Sequence, residues 1–309
     1  MEQQPKLIIH GGAGDSPDSK GGVDSARASL YGILEAVYAM LLAGATAQEA
    51  VVAACTMLED DPRFNAGTGS VLQSDGQIRM SASVMNGESQ SFSGVINVSR
   101  VKNPIQMAQF LQSQPDRLLS DYGAAELARE LLIPPYNPLT DERLEEWLAE
   151  RKSNFQRKMA GVLGTVGAVA LDRQGGLCAG TSTGGRGFEK IGRVSDSATP
   201  AGNYANQYAA VSCTGIGEHI LDEGLAVRIV VRVTDGMSLE QAIAKSFAEA
   251  KSRQRDFGAI AIDRTGAIGW GKTSSVLFAA YHNGTQMADT LTETASPHSE
   301  IGGNSGDRH

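Results

Sequence analysis

The stretch GTVGAVALDRQGGLCAGTSTGG, residues 164–185, alternates small and apolar residues on both sides of a tight turn. An apolar strand leads into an Asp-Arg-x-Gly turn, and a second strand returns from it, which is typical of a β-hairpin. Three threonines, Thr165, Thr181 and Thr183, lie within nineteen positions of it. Thr165 directly follows a glycine. A glycine–threonine pair can be a simple strand entry, because threonine is a good strand former.

The hairpin pattern occurs a second time, 91 residues further along the chain. GAVALDRQGGLCAGTS begins at Gly167, and GAIAIDRTGAIGWGKTS begins at Gly258. The repeat predicts two similar hairpins, which can lie side by side in one sheet. A third segment, Asn203 to Glu218, predicts a further strand that ends in a glycine turn.

The other segments predict helices and strands in turn. KLIIH predicts a buried strand that runs into a glycine loop at Gly11–Gly14. Thr46 with Glu49, and Ser238 with Gln241, have the spacing of helix capping boxes. Helices are further predicted at 22–42 and, with proline interruptions, at 103–157, and strands at 76–85 and 92–101.

Composition excludes several function classes. The net charge of the 309-residue chain is −8, so a broad basic surface for nucleic acid or anionic lipid is not expected. No apolar run approaches the roughly 20 residues that span a bilayer. The start of the chain does not have the pattern of a secretory signal. The three cysteines show no paired spacing, which favours reduced thiols in a cytoplasmic protein.

Thr165 could act as the nucleophile of an amide hydrolase. A threonine hydroxyl needs a nearby base, and the nearest one is the threonine's own α-amine, which exists only if Thr165 begins a chain. A free α-amine titrates at about 7.7–8.0, so part of it is neutral at physiological pH. The scheme requires cleavage of the Gly164–Thr165 bond. Thr183, on the returning strand, is a candidate hydrogen-bond partner of the hydroxyl.

Seven motifs in this order resemble the plant-type asparaginase and isoaspartyl aminopeptidase family of N-terminal-nucleophile hydrolases. They are IIHGGAG, LEDDPRFNAGTGSVL, GTVGAVALD, TSTGG, GRVSDS, GNYANQ and SCTGIGE, and the likeness extends from about Lys6 to about Lys272. The resemblance implies an α+β fold, a four-layer αββα sandwich with helices outside two packed, mostly antiparallel sheets. It also implies a single domain, 1–309, that cuts itself into an α subunit, 1–164, and a β subunit, 165–309.

The resemblance assigns roles to individual residues. Thr165 corresponds to the nucleophile, Thr183 to the threonine that polarises it, and Thr214 and Gly215 to the oxyanion donors. Arg193 and Asp196 correspond to the pair that holds the substrate's α-carboxylate and α-amine, as their charges allow. Gly217 and Asn65 correspond to residues that line the site. The implied activity is isoaspartyl peptidase and L-asparaginase.

The family also implies an ion and an assembly. Catalysis needs no cofactor, but a structural sodium ion is expected, held by backbone carbonyls of Leu58, Glu59, Asp61, Phe64, Ala66 and Thr68. Small-molecule substrates, β-aspartyl dipeptides and asparagine, are the expected partners. The αβ units are expected to form a homodimer.

The chain departs from the family pattern at several positions. Ser195 stands where glycine is common, and Ser81 and Asn86 stand where aspartates are common. Ser195 adds a hydroxyl beside Arg193. Ser81 and Asn86 lack the carboxylates that are expected to support the glycine-rich segment. The link before Gly164 is also short, about MAGVL, where relatives carry a longer tail.

Three alternative functions compete with this interpretation. GAIGWGKTS, residues 266–274, matches a P-loop pattern, but we expect a strand there, because it repeats the first hairpin and carries a bulky Trp270. A glycosylasparaginase would use the same fold and nucleophile on a sugar–asparagine amide. A degenerate binding module is the third alternative. His10 is predicted to end a strand and support the glycine loop, and transition-metal catalysis is not expected from the scattered histidines.

Overall fold

The fold is described from a computed structural model that covers residues 3–14, 22–152 and 164–291. The strands are β1 (Lys6–Gly14), β2 (Met80–Asn86), β3 (Ser91–Val98), β4 (Leu118–Ser120), β5 (Val166–Leu171), β6 (Leu177–Thr183), β7 (Asn203–Ala205), β8 (Ala209–Gly215), β9 (Phe257–Asp263), β10 (Ile268–Lys272), β11 (Val276–His282) and β12 (Met287–Asp289). The helices are α1 (Gly22–Leu42), α2 (Ala47–Asp60), α3 (Pro104–Leu111), α4 (Asp121–Glu130), α5 (Asp141–Lys152), α6 (Gly217–Glu223), α7 (Leu225–Thr234) and α8 (Leu239–Ser252).

These strands form two sheets. The larger has eight strands in the order β12-β11-β1-β5-β6-β2-β3-β4, and the smaller has four in the order β10-β9-β8-β7. All neighbouring pairs are antiparallel except β3 and β4. Strands β5 and β6 lie at the centre of the larger sheet, so the hairpin at 164–185 forms its middle.

Three separate hydrophobic clusters confirm the predicted four-layer αββα architecture. One joins α1 to α4 to the outer face of the larger sheet, and another joins α6 to α8 to the outer face of the smaller sheet. The third lies between the two sheets and contains Ile8, Val169 and Ile260. Each sheet is therefore covered on both faces, one by helices and one by the other sheet.

Burial on both faces explains why β1 and β5 carry apolar residues on both faces. In β1, Leu7 and Ile9 pack under the helices, whereas Ile8 between them packs against the second sheet. In β5, Ala168 packs under the helices and Val169 packs against the second sheet. Successive side chains of a strand point to opposite faces, so a doubly covered strand presents apolar residues to both layers.

The helix starts follow the local signals in the sequence. Thr46 and Ser238 each accept a hydrogen bond from the backbone N–H three residues later, and the side chains of Glu49 and Gln241 complete both capping boxes. The prediction for Gly22–Leu42 is confirmed by α1. Among the described helices, none is long and apolar enough to cross a bilayer.

The two similar hairpins do not take the side-by-side arrangement that the repeat allows. Strands β5 and β6 belong to the larger sheet, whereas β9 and β10 belong to the smaller one. Their apolar faces, with Val169 in β5 and Ile260 in β9, meet in the cluster between the sheets. Burial of an apolar face against another sheet competes with edge-to-edge pairing, and local sequence does not distinguish the two arrangements.

Two other local predictions differ from the structure. The glycines after His10 do not form a loop, because β1 continues to Gly14 through an irregularity in register between His10 and Gly12. The segment predicted as helical from 103 contains the short strand β4, which pairs with β3. The end of that segment, 153–157, and the link before Gly164 lie outside the described residues.

We expect Gly11→Ala to destabilise the fold, because a Cβ atom at Gly11 would lie 2.7 Å from Cδ1 of the fully buried Phe64. Overpacking of this kind costs about 1–3 kcal/mol. The matched control is Gly14→Ala in the same strand, where a Cβ would meet nothing within 4 Å. Thermal unfolding should show a lower midpoint for Gly11→Ala only, and equal losses in both variants would contradict the assignment.

Candidate active site

The hydroxyl groups of Thr165 and Thr183 are in direct contact. Thr165 Oγ1 donates to Thr183 Oγ1 at 3.0 Å, and the backbone N–H of Gly185 donates to the same Thr183 oxygen at 3.1 Å. Both threonines are buried. Register produces this contact: β5 pairs with β6 so that Val166 lies opposite Ser182, which sets the flanking threonines next to each other.

Thr214 approaches the same point from the second sheet. Its hydroxyl lies 3.4 Å from the carbonyl oxygen of Thr165, to which it donates, and it is almost fully buried at the end of β8. Gly215 follows with φ +128°, a left-handed conformation that favours glycine. The Thr214 hydroxyl therefore lies beside the Thr165 carbonyl, and the exposed Gly215 follows it at the end of β8.

Arg193 and Asp196 converge on Gly217, at the start of α6. A Cβ atom at Gly217 would lie 2.6 Å from Asp196 Oδ1 and 2.7 Å from Arg193 Nη2, so only glycine fits there. Asp196 is buried, and its Oδ2 has no hydrogen-bond partner within the described part of the chain. Burial raises the Asp196 pKa to about 6, although the Arg193 charge opposes this shift. The pair thus presents a cation and an incompletely satisfied carboxylate.

Glu218 is a member of this group that the sequence analysis missed. The guanidinium of Arg193 donates two hydrogen bonds to its carboxylate, at 2.8 and 3.1 Å. These bonds lower the Glu218 pKa to about 2, so its charge is retained throughout the physiological range. The signal was present in the sequence, because Glu218 ends the SCTGIGE motif. Arg193 is therefore already paired with a carboxylate.

Asn65 ties the glycine-rich loop to the hairpin. Its Nδ2 donates to the carbonyl of Gly185 at 2.7 Å, and its Oδ1 accepts from the N–H of Val71 at 3.0 Å. Its backbone N–H donates to the carbonyl of Gly164 at 3.4 Å. Asn65 therefore contacts the carbonyl of the bond that would be cleaved, as well as both sides of the site.

His10 lies directly behind Thr165, in a position that the sequence did not predict. Its Nδ1 is 3.0 Å from the carbonyl oxygen of Thr165, and its Nε2 is 2.9 Å from Ser212 Oγ. The ring is fully buried, and this burial lowers the His10 pKa to about 3. The histidine does not end its strand, because β1 continues past it to Gly14.

Comparison with known proteins agrees with this geometry. The family model described as asparaginase matches residues 3–292. The chain belongs to the asparaginase family. The isoaspartyl peptidase/L-asparaginase of a Nostoc strain is 64% identical over 93% of this chain and 95% of its own length. The protein of that name from Synechocystis is 60% identical over 95% and 92%. The plant-type L-asparaginase of Pyrococcus horikoshii is 36% identical over 89% and 95%.

The Leu58–Thr68 loop, where the family resemblance implies a sodium ion, is held together by backbone hydrogen bonds within the loop. The carbonyl of Glu59 accepts from the N–H of Thr68 at 2.7 Å, and that of Asp61 accepts from Phe64 at 3.1 Å. Carbonyl oxygens crowd around the loop glycines, since a Cβ at Gly69 would lie 2.5 Å from the Pro62 oxygen and 2.9 Å from the Phe64 oxygen. This oxygen-rich cradle fits a hard cation. Within the described residues no cluster of three or more histidine, cysteine or acidic side chains could hold a metal.

The side chain of Glu59 extends from that loop to the back of the hairpin. Its Oε1 accepts from Ser182 Oγ at 2.6 Å and from the N–H of Ile105 at 3.1 Å. Burial raises the Glu59 pKa to about 8. Ser182 lies between Thr181 and Thr183 but points to the helix-covered face, so Glu59 supports β6 from the side opposite the site.

The three departures from the asparaginase pattern have different surroundings. Ser195 touches the site, because its hydroxyl donates to Asp196 Oδ1 at 3.1 Å and accepts from the N–H of Ser197. Ser81 accepts from the N–H of Asn97, and Asn86 donates to Gln48. The Ser195 side chain contacts a residue of the site, and Ser81 pairs with Thr183 in the ladder between β2 and β6.

The P-loop match does not form a phosphate-binding loop. Ile268–Lys272 is strand β10, paired along its length with β9, and Trp270 is buried against Tyr281 with ring centroids 5.3 Å apart. The expectation of a strand at this place is confirmed.

We expect Asp196 to make stability fall as the pH rises. Its folded pKa of about 6 lies above the ordinary value of 3.8, so the folded state retains a proton that the unfolded state releases. The loss in the free energy of unfolding grows between about pH 4 and pH 6 and reaches about 1–3 kcal/mol at neutral pH. Urea unfolding of the wild type and of Asp196→Asn, at pH 5 and pH 8, measures it. The wild type should lose stability relative to the variant at pH 8, and a pH-independent difference would contradict the burial argument.

Proposed function

We propose that this protein is an isoaspartyl peptidase with L-asparaginase activity, which hydrolyses β-aspartyl dipeptides and asparagine through Thr165. The observation that carries the proposal is the contact between the Thr165 and Thr183 hydroxyls directly after Gly164, with Thr214 facing them from the other sheet. The relatives at 64% and 60% identity are named for the same two activities.

Maturation comes first in this proposal. The Thr165 hydroxyl attacks the carbonyl carbon of Gly164, and the bond from that carbon to the Thr165 nitrogen breaks. The nitrogen takes up a proton and becomes a new α-amine, while Gly164 is held as an ester. Water hydrolyses the ester, which leaves an α subunit, 1–164, and a β subunit, 165–309. The proximity of Asn65 N–H to the Gly164 carbonyl supports this step.

The mature site then cleaves its substrate by the same chemistry. Arg193 binds the α-carboxylate and Asp196 binds the α-ammonium, which selects an aspartyl end over a plain amide. Thr165 Oγ attacks the β-carbonyl carbon, and the α-amine takes the hydroxyl proton and passes it to the leaving nitrogen. The Thr214 hydroxyl and the Gly215 N–H stabilise the oxyanion. Water releases aspartate from the β-aspartyl ester.

Glu218 holds Arg193 before substrate arrives. An arginine that is already oriented by a bidentate carboxylate loses less conformational entropy when the substrate binds. Gly217 gives the substrate room between Arg193 and Asp196, since any side chain there would contact both.

The assembly and the compartment belong to the same proposal. Two αβ units associate into a homodimer, as the resemblance to the asparaginase family implies. The cysteines Cys55, Cys178 and Cys213 are all buried and free, which supports a reducing, cytoplasmic environment. Sugar–asparagine cleavage is not favoured, because the relatives compared are named as isoaspartyl peptidases and asparaginases.

Thr165→Ala should remain one polypeptide of full length and hydrolyse neither asparagine nor a β-aspartyl dipeptide, because both cleavages use the lost hydroxyl. Denaturing mass spectrometry should show two fragments that meet at 164/165 for the wild type. Thr165→Ser keeps a hydroxyl and is the matched control, which should still be cut. A Thr165→Ala protein that is cleaved and active would overturn the proposal.

A sodium ion in the Leu58–Thr68 loop should stabilise the folded protein by mass action, by about 2.7 kcal/mol at a hundred times its dissociation constant. The carbonyls of Leu58, Glu59, Asp61, Phe64, Ala66 and Thr68 are the proposed ligands. The thermal midpoint should rise with NaCl concentration more than with choline chloride at equal ionic strength. Identical curves for the two salts would exclude the ion.

A further inference from the structure

We propose that His10 is a positioning residue for the nucleophile, because its neutral imidazole donates a hydrogen bond to the Thr165 carbonyl and fixes the orientation of that residue. This inference rests on the proposed role of Thr165. His10 contacts no atom of the substrate in this scheme, and it acts through the backbone of Thr165.

The histidine is built into the strand next to the nucleophile. In the ladder between β1 and β5, His10 pairs with Gly167, two residues after Thr165. A Cβ atom at Gly167 would collide with His10 Nε2 and with Ser212 Oγ. The ring therefore occupies the space that this glycine leaves open, and it connects the larger sheet to Ser212 in the smaller one.

The hydrogen-bond partners determine the tautomer. The Thr165 carbonyl oxygen can only accept, so the proton must be on Nδ1, 3.0 Å away. Nε2 is then an acceptor, and the Ser212 hydroxyl donates a hydrogen bond to it at 2.9 Å. Ser212 Oγ in turn accepts from the Thr181 hydroxyl at 2.7 Å. The resulting chain runs from Thr181 through Ser212 and His10 to Thr165, with every donor pointing in one direction.

Burial keeps this chain in one state. The imidazole is fully buried, and desolvation lowers the His10 pKa to about 3, so the ring is neutral around pH 7. A cationic ring would carry a second proton on Nε2 and would reverse the Ser212 hydroxyl. The hydrogen bond from His10 to the Thr165 carbonyl therefore does not switch with pH.

The mature enzyme needs this bond more than the precursor does. Cleavage removes the covalent restraint of Gly164, and Thr165 becomes a chain end that could rotate. A hydrogen bond to its carbonyl fixes the plane of the following peptide, and so anchors the Cα atom that carries the α-amine and the side chain with Oγ1. Misplacement of reacting groups by about 1 Å can cost a hundredfold in rate.

The hydrogen bond from His10 also determines what the Thr214 hydroxyl can do. The Thr165 carbonyl has two donors within reach, His10 Nδ1 at 3.0 Å and the Thr214 hydroxyl at 3.4 Å. A buried carbonyl requires one partner. Because His10 supplies the shorter bond, the Thr214 hydroxyl is released to turn toward the oxyanion of the substrate.

The variants His10→Asn and His10→Gln distinguish a positioning role of His10 from a purely structural one. The amide nitrogen of Asn in His10→Asn lies near the place of Nδ1 and can donate to Thr165. The longer Gln in His10→Gln reaches toward Ser212 instead. Both variants lose one of the two contacts and leave part of the ring's space empty. Thermal unfolding gives the stability of each, and mass spectrometry gives the matured fraction, to which kcat is normalised.

We expect His10→Gln to lower kcat by about 10- to 100-fold with KM changed by less than about threefold, since Arg193 and Asp196 still bind the substrate. His10→Asn should retain kcat within about threefold to fivefold of the wild type, at a similar loss of thermal midpoint. If kcat falls equally in the two variants, or follows the thermal midpoint, the positioning role is overturned.

A spectroscopic measurement tests the tautomer without a substitution at His10. The ¹⁵N shifts of labelled histidine in Thr165→Ala, which stays uncut, should show a protonated Nδ1 and an unprotonated Nε2 for His10 from pH 5 to pH 8. A proton on Nε2 would overturn the proposal. An active, cleaved Thr165→Ala would instead overturn the proposed function, so the two failures are distinguishable.

Discussion

The antiparallel register of β5 and β6 is the constraint on which the site depends. Val166 lies opposite Ser182, and this places the hydroxyl of Thr165 against that of Thr183 at 3.0 Å. A slip of one residue by β5 would turn Thr165 toward the helices and away from Thr183. The apolar clusters on either side of the sheet oppose such a slip, because it would expose Ala168 and Val169 to the wrong neighbours.

Several polar groups of this buried region are held by hydrogen bonds across the layers. Ser212, which faces the gap between the sheets, is bonded to His10 and Thr181, and Glu59 is bonded to Ser182 on the opposite face. Asp196 and Glu59 each keep one carboxylate oxygen that has no partner among the described residues. An unsatisfied buried carboxylate is costly, and at Asp196 it is the feature that a substrate ammonium would relieve.

Several parts of the site were readable from the sequence. The glycine before Thr165, the hairpin, the GRVSDS and SCTGIGE motifs and the capping boxes all depend on residues near each other in the chain. Arg193 and Asp196 were predicted as a pair and do converge on Gly217. The sequence analysis did not identify Glu218 as the partner of Arg193, although the SCTGIGE motif contains it, because a bidentate contact depends on how two segments meet in the fold.

Local periodicity and turn chemistry predicted most of the strands and helices, and the order of the motifs, through the family resemblance, implied the layers and the roles of the polar residues. The face that each hairpin covers was set by the packing of the whole fold. It set the two similar hairpins in opposite sheets, because burying their apolar faces against each other removes more surface from water than pairing them at an edge. It also brought His10 to Thr165, 155 residues away in the chain, since strand pairing between distant segments is a property of the whole fold.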